Sequence, residues 1–344
     1  MELQARRVYR FALVTAMAAT TGFALQLHFT LLPPVIAILF ALKPAPPMKL
    51  RAMLTLVVVV LLASGLGLLL VPLLMHYPFT AVLLVTLGLY VSSYLMVNLG
   101  QGALGLFLAM GFVLISSMGL ADEALARLWV QTITGSVIIA LFFHWLVHLL
   151  FPEDAQPAAT PPPATGAEQS NWIALRSALV VVPVWIAALQ NPTTWISALT
   201  KALTLGQQRT YENIWLAGVE LVGSTFLGGV LAALFWLLLG VLPTLWTLFL
   251  LALLLGLYGG SKLYGLSPSH FRPGFWSNTL MTVWILLAPA VADSASDKDV
   301  YKAFFVRFSL FLAVTLYAWV AMVLLEQWRL RREARIPARA ASSG

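Results

Sequence analysis

The chain has 344 residues, of which 60% are hydrophobic and only 10% charged, with a mean hydropathy of +0.90. Soluble domains carry about 25% charged residues, so this composition excludes a soluble globular fold and points to a polytopic membrane protein. The absence of cysteine excludes disulfides, thiolate catalysis and Cys-ligated metals. The net charge of +7 is compatible with nucleic-acid binding or with a topological bias of a membrane protein, and the distribution of the charges decides between them.

The N-terminus has signal-peptide features: Arg6, Arg7 and Arg10, an apolar run, then Ala16-Met17-Ala18. Too few apolar residues separate Arg10 from that site for an h-region, so an uncleaved first transmembrane helix is expected. Apolar segments then fall at 8–25, 27–42, 52–75, 78–97, 102–121 and 128–151. A Pro-, Ala- and Thr-rich stretch over 152–171, with Pro161-Pro162-Pro163, reads as a flexible linker. Six more segments follow at 172–190, 193–205, 214–240, 243–264, 275–292 and 303–327, and a basic tail covers 329–344. Each spanning segment is expected to be a helix, because lipid cannot satisfy open backbone. The organisation is thus a first six-helix unit over 1–151, the linker, a second unit over 172–328, and the tail.

With the N-terminus placed in the cytoplasm, Arg127, Lys298, Lys302 and Arg307 fall outside and the other 16 of the 20 Lys and Arg fall inside. Asp122, Glu123, Asp293, Asp297 and Asp299 lie in the outer loops. This positive-inside bias predicts about twelve spans with N-terminus, linker and C-terminus all cytoplasmic. It also accounts for the basic charge, so nucleic acid is dropped as a partner. The Arg-rich tail is expected to meet anionic headgroups of membrane lipids.

The two units start on the same side and echo one another. Gly88-Leu89-Tyr90-Val91-Ser92-Ser93-Tyr94-Leu95 returns as Gly256-Leu257-Tyr258-Gly259-Gly260-Ser261-Lys262-Leu263, each in the fourth segment of its unit. Arg10-Phe11-Ala12-Leu13-Val14 matches Arg176-Ser177-Ala178-Leu179-Val180. The pattern predicts two parallel six-helix repeats. Gly88 and Ser92, like Gly256 and Gly260, have the spacing of close helix packing. Tyr90, Ser93, Tyr258 and Ser261 share a helix side and are expected to line a central cavity and contact substrate.

The second segments carry the transport signal. Pro33-Pro34 lies inside the short segment at 27–42, and Asn191-Pro192 opens the short one at 193–205. Proline-broken or short helices at matching places in two halves point to a substrate site; alternatively, proline simply opens a helix. Lys201 either attracts an anionic substrate or snorkels to the headgroups. Glu220, inside the segment 214–240, either carries a coupling proton or pairs with Lys201 or Arg209. His144 and His148 stand four apart, as interface histidines or a chelating pair without a third ligand. Glu326 and Trp328 read as interface anchors. Trp185, Trp236, Trp284 and Trp319 read as lipid-facing bulk or as an aromatic pocket.

No catalytic or nucleotide-binding motif appears: no phosphate-cradling Gly-rich loop with Lys-Ser/Thr, no His-Glu-x-x-His, no facing intramembrane aspartates. The reading is of a non-enzyme without cofactor or metal. Six plus six helices describe the major facilitator fold, but the loop Lys43 to Arg51 lacks that family's Gly/Asp/Arg-rich signature. The sequence more closely resembles the fusaric acid resistance and aromatic acid exporter (FUSC) group. The resemblance rests on Arg10-Phe-Ala-Leu-Val, the Pro-containing second segment, Arg176-Ser-Ala-Leu, and the Gly-rich Gly223-Ser-Thr-Phe-Leu-Gly228-Gly229. It implies a compact branch lacking the large cytoplasmic domain. It also implies an exporter of small aromatic or organic acids in the bacterial inner membrane, working with a periplasmic membrane-fusion (HlyD-type) adaptor. Proton coupling through Glu220 and a possible homo-oligomer complete that expectation. The alternative from another class is a non-transporting scaffold for an envelope or adaptor complex.

Overall fold

The computed structural model describes residues 2–42, 45–154, 167–206, 214–294 and 299–342. Among these the chain forms twelve helices and no strand. They are α1 Leu3–Ala24, α2 Leu32–Ala41, α3 Leu50–His76, α4 Pro78–Val97, α5 Gly102–Ala121 and α6 Glu123–Leu150. The rest are α7 Ala167–Ala188, α8 Pro192–Gly206, α9 Ile214–Val241, α10 Leu245–Leu263, α11 Pro273–Ser294 and α12 Val300–Ser342. Among the described residues nine helices are long and apolar enough to cross a membrane, which makes this a multi-pass membrane protein. The other three are α1, α2 and α8.

The two short helices differ from the sequence expectation in how they begin. Pro33 and Pro34 do not interrupt a longer helix; they occupy the first turn of α2, where missing N–H groups cost nothing. Pro192 likewise opens α8. What survives of the expectation is brevity: α2 has 10 residues and α8 has 15. Both are nearly enclosed by protein, and α2 buries every residue from Leu32 to Ile38.

Helix pairing runs in parallel through the chain. The largest contact is α1 on α10, and its counterpart is α7 on α4. Similarly α2 lies on α6 and α8 on α12, while α3 meets α5 and α9 meets α11. The second helices also cross over, α2 touching α11 and α8 touching α5. The two halves therefore interlock, each lending its first helix to the fourth helix of the other. The most buried spans are the fifth in each set, α5 and α11.

The expected linker is narrower at its far end than 152–171, since α7 begins at Ala167; residues 155–166 lie outside the described residues. Its start is held by α1. Arg6 donates to the Pro152 carbonyl (3.0 Å) and to Asp154 (2.5 Å), Arg7 Nε to Glu153 (2.9 Å), and Arg10 to the Phe151 carbonyl (2.9 Å) and Glu153. In the second half Arg176 lies 3.6 Å from Glu326, which also accepts from Trp172 Nε1 at 3.0 Å. Glu326 is thus an ion-pair partner rather than a free interface anchor. The expected tail over 329–344 is the continuation of α12, which stays helical to Ser342. Of the two readings for Trp185 and Trp284, lipid-facing bulk is excluded, since both are fully buried core residues.

Candidate functional site

Glycine brings α9 and α11 together. A Cβ at Gly228 would stand 2.6 Å from Thr282 Cβ and 2.9 Å from the Thr279 carbonyl oxygen, so only the missing side chain allows the approach. At that separation hydroxyls on one helix reach polar groups on the other. Asn278 Nδ2 donates to Ser224 Oγ at 2.5 Å, and Thr279 Oγ1 to the Ser224 carbonyl at 3.2 Å. Ser224, Thr225, Asn278, Thr279 and Thr282 are all buried.

Into this cluster α8 inserts Lys201, which is 1% exposed. Its ammonium donates to Asn278 Oδ1 and to Thr282 Oγ1 (3.5 Å), and lies 5.0 Å from the centroid of the Phe311 ring on α12. One cation thus joins α8, α11 and α12, with α9 bound through Asn278. Taking an ammonium out of water costs several kcal/mol unless hydrogen bonds replace its hydration, which the amide, hydroxyl and ring face do here. The snorkelling alternative is therefore overturned: Lys201 points into protein, not to the headgroups.

Lys201 is the one expected substrate residue in this cluster. Tyr90 and Ser93 lie in the α4–α7 seam, where Tyr90 donates to Asn171 Oδ1 at 3.3 Å and Ser93 to Ser177 at 2.9 Å. Tyr258 instead faces outward at 52% exposure, edge-on to Trp276, and Ser261 donates to its own helix at the Tyr258 carbonyl. The two Tyr/Ser pairs therefore do not line one cavity. Their glycines part in the same way. A Cβ at Gly88 would meet the Phe112 ring of α5 at 2.6 Å, whereas one at Gly256 would meet Ala12 Cα of α1 at 2.7 Å. Asn191 is exposed and its side chain faces the Thr194 amide at the start of α8. Pro33 and Pro34 are buried apolar packing. Glu220 is half-buried, one turn before Ser224 on the same side of α9; Arg209 lies outside the described residues.

The rings of His144 and His148 lie 4.4 Å apart, tilted at 54°, near Arg10. His148 Nδ1 lies 2.7 Å from the His144 carbonyl and Nε2 3.2 Å from the Ala45 carbonyl, so its ring is occupied by backbone. No third metal-ligating side chain joins them among the described residues. Tyr264, just past α10, donates to the Ala41 carbonyl, and burial pushes its phenol up, keeping it neutral.

Sequence reading missed Asn278, Thr282, Ser224, Thr225 and Phe311. A usable signal existed: Asn278 and Thr282 are spaced four apart in an otherwise apolar run, the spacing of one helix face.

Residues 7–147, reaching from α1 into α6, match the model of a family described as "Protein of unknown function (DUF2955)". No curated protein matches the chain, and no solved structure does.

Proposed function

We propose that this protein is a secondary transporter that exports small aromatic or organic anions across the bacterial inner membrane, with Lys201 at the substrate site. The observation that carries the reading is the burial of the Lys201 ammonium among hydrogen-bonding side chains of a multi-pass membrane protein. An ionisable group kept at such a place marks a substrate or ion path by default. The ammonium supplies the charge for a carboxylate, the Asn278 and Thr282 groups supply exchangeable hydrogen bonds, and Phe311 supplies an aromatic face. Binding a carboxylate releases Lys201 from Asn278 and Thr282, so substrate favours a different arrangement of α8 against α11.

The wider architecture belongs to the same proposal: two parallel six-helix repeats with both termini cytoplasmic. Its support is the reciprocal packing of α1 on α10 and α7 on α4, together with the Arg10–Glu153 tie just past α6 and the Arg176–Glu326 tie within α12. Glu220, one turn from Ser224, is the group proposed to exchange the coupling proton. The resemblance to aromatic acid exporters adds a periplasmic HlyD-type adaptor as partner.

The test is efflux of labelled benzoate, the simplest aromatic carboxylate, from proteoliposomes under an imposed proton gradient. Lys201→Met is expected to insert normally and to lose transport by tens-fold to about a hundredfold, the scale of one lost charge-assisted hydrogen bond. Glu220→Gln is expected to keep benzoate counterflow and to lose its stimulation by the gradient. Full transport by Lys201→Met across a panel of organic acids sinks the site assignment.

A further inference from the structure

A groove of about 540 Å³ opens between the first turns of α3 and α5. Its mouth carries Lys49 and Arg51, both exposed, with Gln101 opposite; its depth is apolar, reaching Leu56, Val59 and Leu104. Among the described residues no acidic side chain lines it. From Lys49 to Val59 the helix rises about 15 Å at 1.5 Å per residue. That is half of a hydrocarbon core about 30 Å thick, the depth reached by one acyl chain of one leaflet.

A second groove of similar size, about 520 Å³, runs on the α6 side of the same helix. It is lined by Leu54, Val57, Phe142, Trp145 and other apolar side chains, with no cation among them. The molecule thus holds two grooves of similar volume along one helix, and they differ in charge at the mouth.

We infer that the α3–α5 groove binds an anionic phospholipid, its phosphate between Lys49 and Arg51 and one acyl chain along Leu56, Val59 and Leu104. Charge complementarity selects the headgroup, and groove depth selects a chain anchored at that end of the bundle. The α3–α6 groove takes up lipid chains without regard to headgroup. A juxtamembrane cation adds about a fivefold preference for anionic lipid, so two predict a preference of about thirtyfold.

The full chain is measured by native mass spectrometry from micelles holding equal amounts of dioleoylphosphatidylglycerol and dioleoylphosphatidylcholine. Wild type is expected to retain the phosphatidylglycerol with about a thirtyfold preference, and Lys49→Ala or Arg51→Ala each to cut it about fivefold. Thr55→Trp fills the groove from an exposed position and is expected to abolish that retention. Leu54→Trp, in the uncharged groove, is expected to leave it unchanged. Elution volume and Tm establish that each variant is folded, which the exposure of all four positions favours. Equal retention of the two lipids overturns the proposal, as does a preference that survives the Lys49→Ala, Arg51→Ala double variant. Retention unaffected by Thr55→Trp overturns it too, since the headgroup would then be held without the groove. So does a second copy of the chain bound in place of lipid.

Discussion

Two junctions at which glycine brings helices together are solved in opposite ways. Between α3 and α5 the backbones touch: a Cβ at Gly67 would stand 2.2 Å from the Gly111 carbonyl oxygen, and one at Gly111 would stand 2.2 Å from that of Ala63. Six helices later α9 and α11 also approach over a glycine, Gly228, but meet through Ser224, Asn278, Thr279 and Thr282 and enclose an ammonium. The first junction includes a π turn at Gly111–Ile115, whose displaced carbonyls are taken up by Ser116 and Ser117, the latter at 2.6 Å from the Val113 oxygen. The short helix α2 has only apolar side chains and touches α11 rather than this junction, whereas α8 carries Lys201 and touches both α5 and α11. An apolar junction held by backbone contact has no group to exchange for a ligand. A polar one does, since each hydrogen bond can be traded for another. On the proposed transport reading, the second junction is the one that offers groups to a ligand.

The sharpest way to break this contrast is to give the first half a charge. Ile36→Lys places an ammonium in a helix whose surroundings are apolar, and is expected to cost about 3 to 5 kcal/mol. The expected readout is loss of the monodisperse peak in size-exclusion chromatography; a folded Ile36→Lys protein would show that the first half tolerates charge and would remove the distinction.

The ion pairs at the helix ends sharpen it further. Glu153 is gripped by Arg7 and Arg10 with both carboxylate oxygens, while Glu326 lies 3.6 Å from Arg176 and 3.9 Å from Arg329. Glu153→Gln is expected to cost about 3 kcal/mol and Glu326→Gln, buried but with longer Arg contacts, about 2 kcal/mol, read as a larger drop in Tm for the first. Equal drops would mean that the two ends are tied with equal strength.

The smallest effects are expected in the crossed seams. Gly256→Ala puts a Cβ 2.7 Å from Ala12 Cα and is expected to cost about 1 to 3 kcal/mol through overpacking. Ser93→Ala removes one interhelical hydrogen bond and is expected to cost about 0.6 kcal/mol. Thermal unfolding of both variants ranks the seams; the reverse order would show that the α4–α7 seam, not α1–α10, holds the halves together.

Composition and hydropathy were enough to specify a multi-pass helical protein and the place of nearly every helix, because an apolar run of about 20 residues has only one backbone solution in lipid. The matching Gly-Leu-Tyr stretches fall in α4 and α10, and the shortness of α2 and α8 was readable from their prolines and loop residues. Position on a face was not. Tyr90 and Tyr258 occupy the same place in matching strings, yet one turns to α7 and the other to the exterior, since rotation about a helix axis is set by the neighbouring helix. Lys201 shows the same limit. In sequence it stands near the end of an apolar segment, where snorkelling and burial are equally open. Only the approach of α8 to α11, whose Asn278 is held by Ser224 of α9, supplies the amide and hydroxyl that make burial possible. What the sequence alone determined was which segments enter the membrane, by the cost of exposed backbone and charge in hydrocarbon. The tertiary structure decided which polar groups meet inside, because that depends on interhelical distances that no single helix encodes.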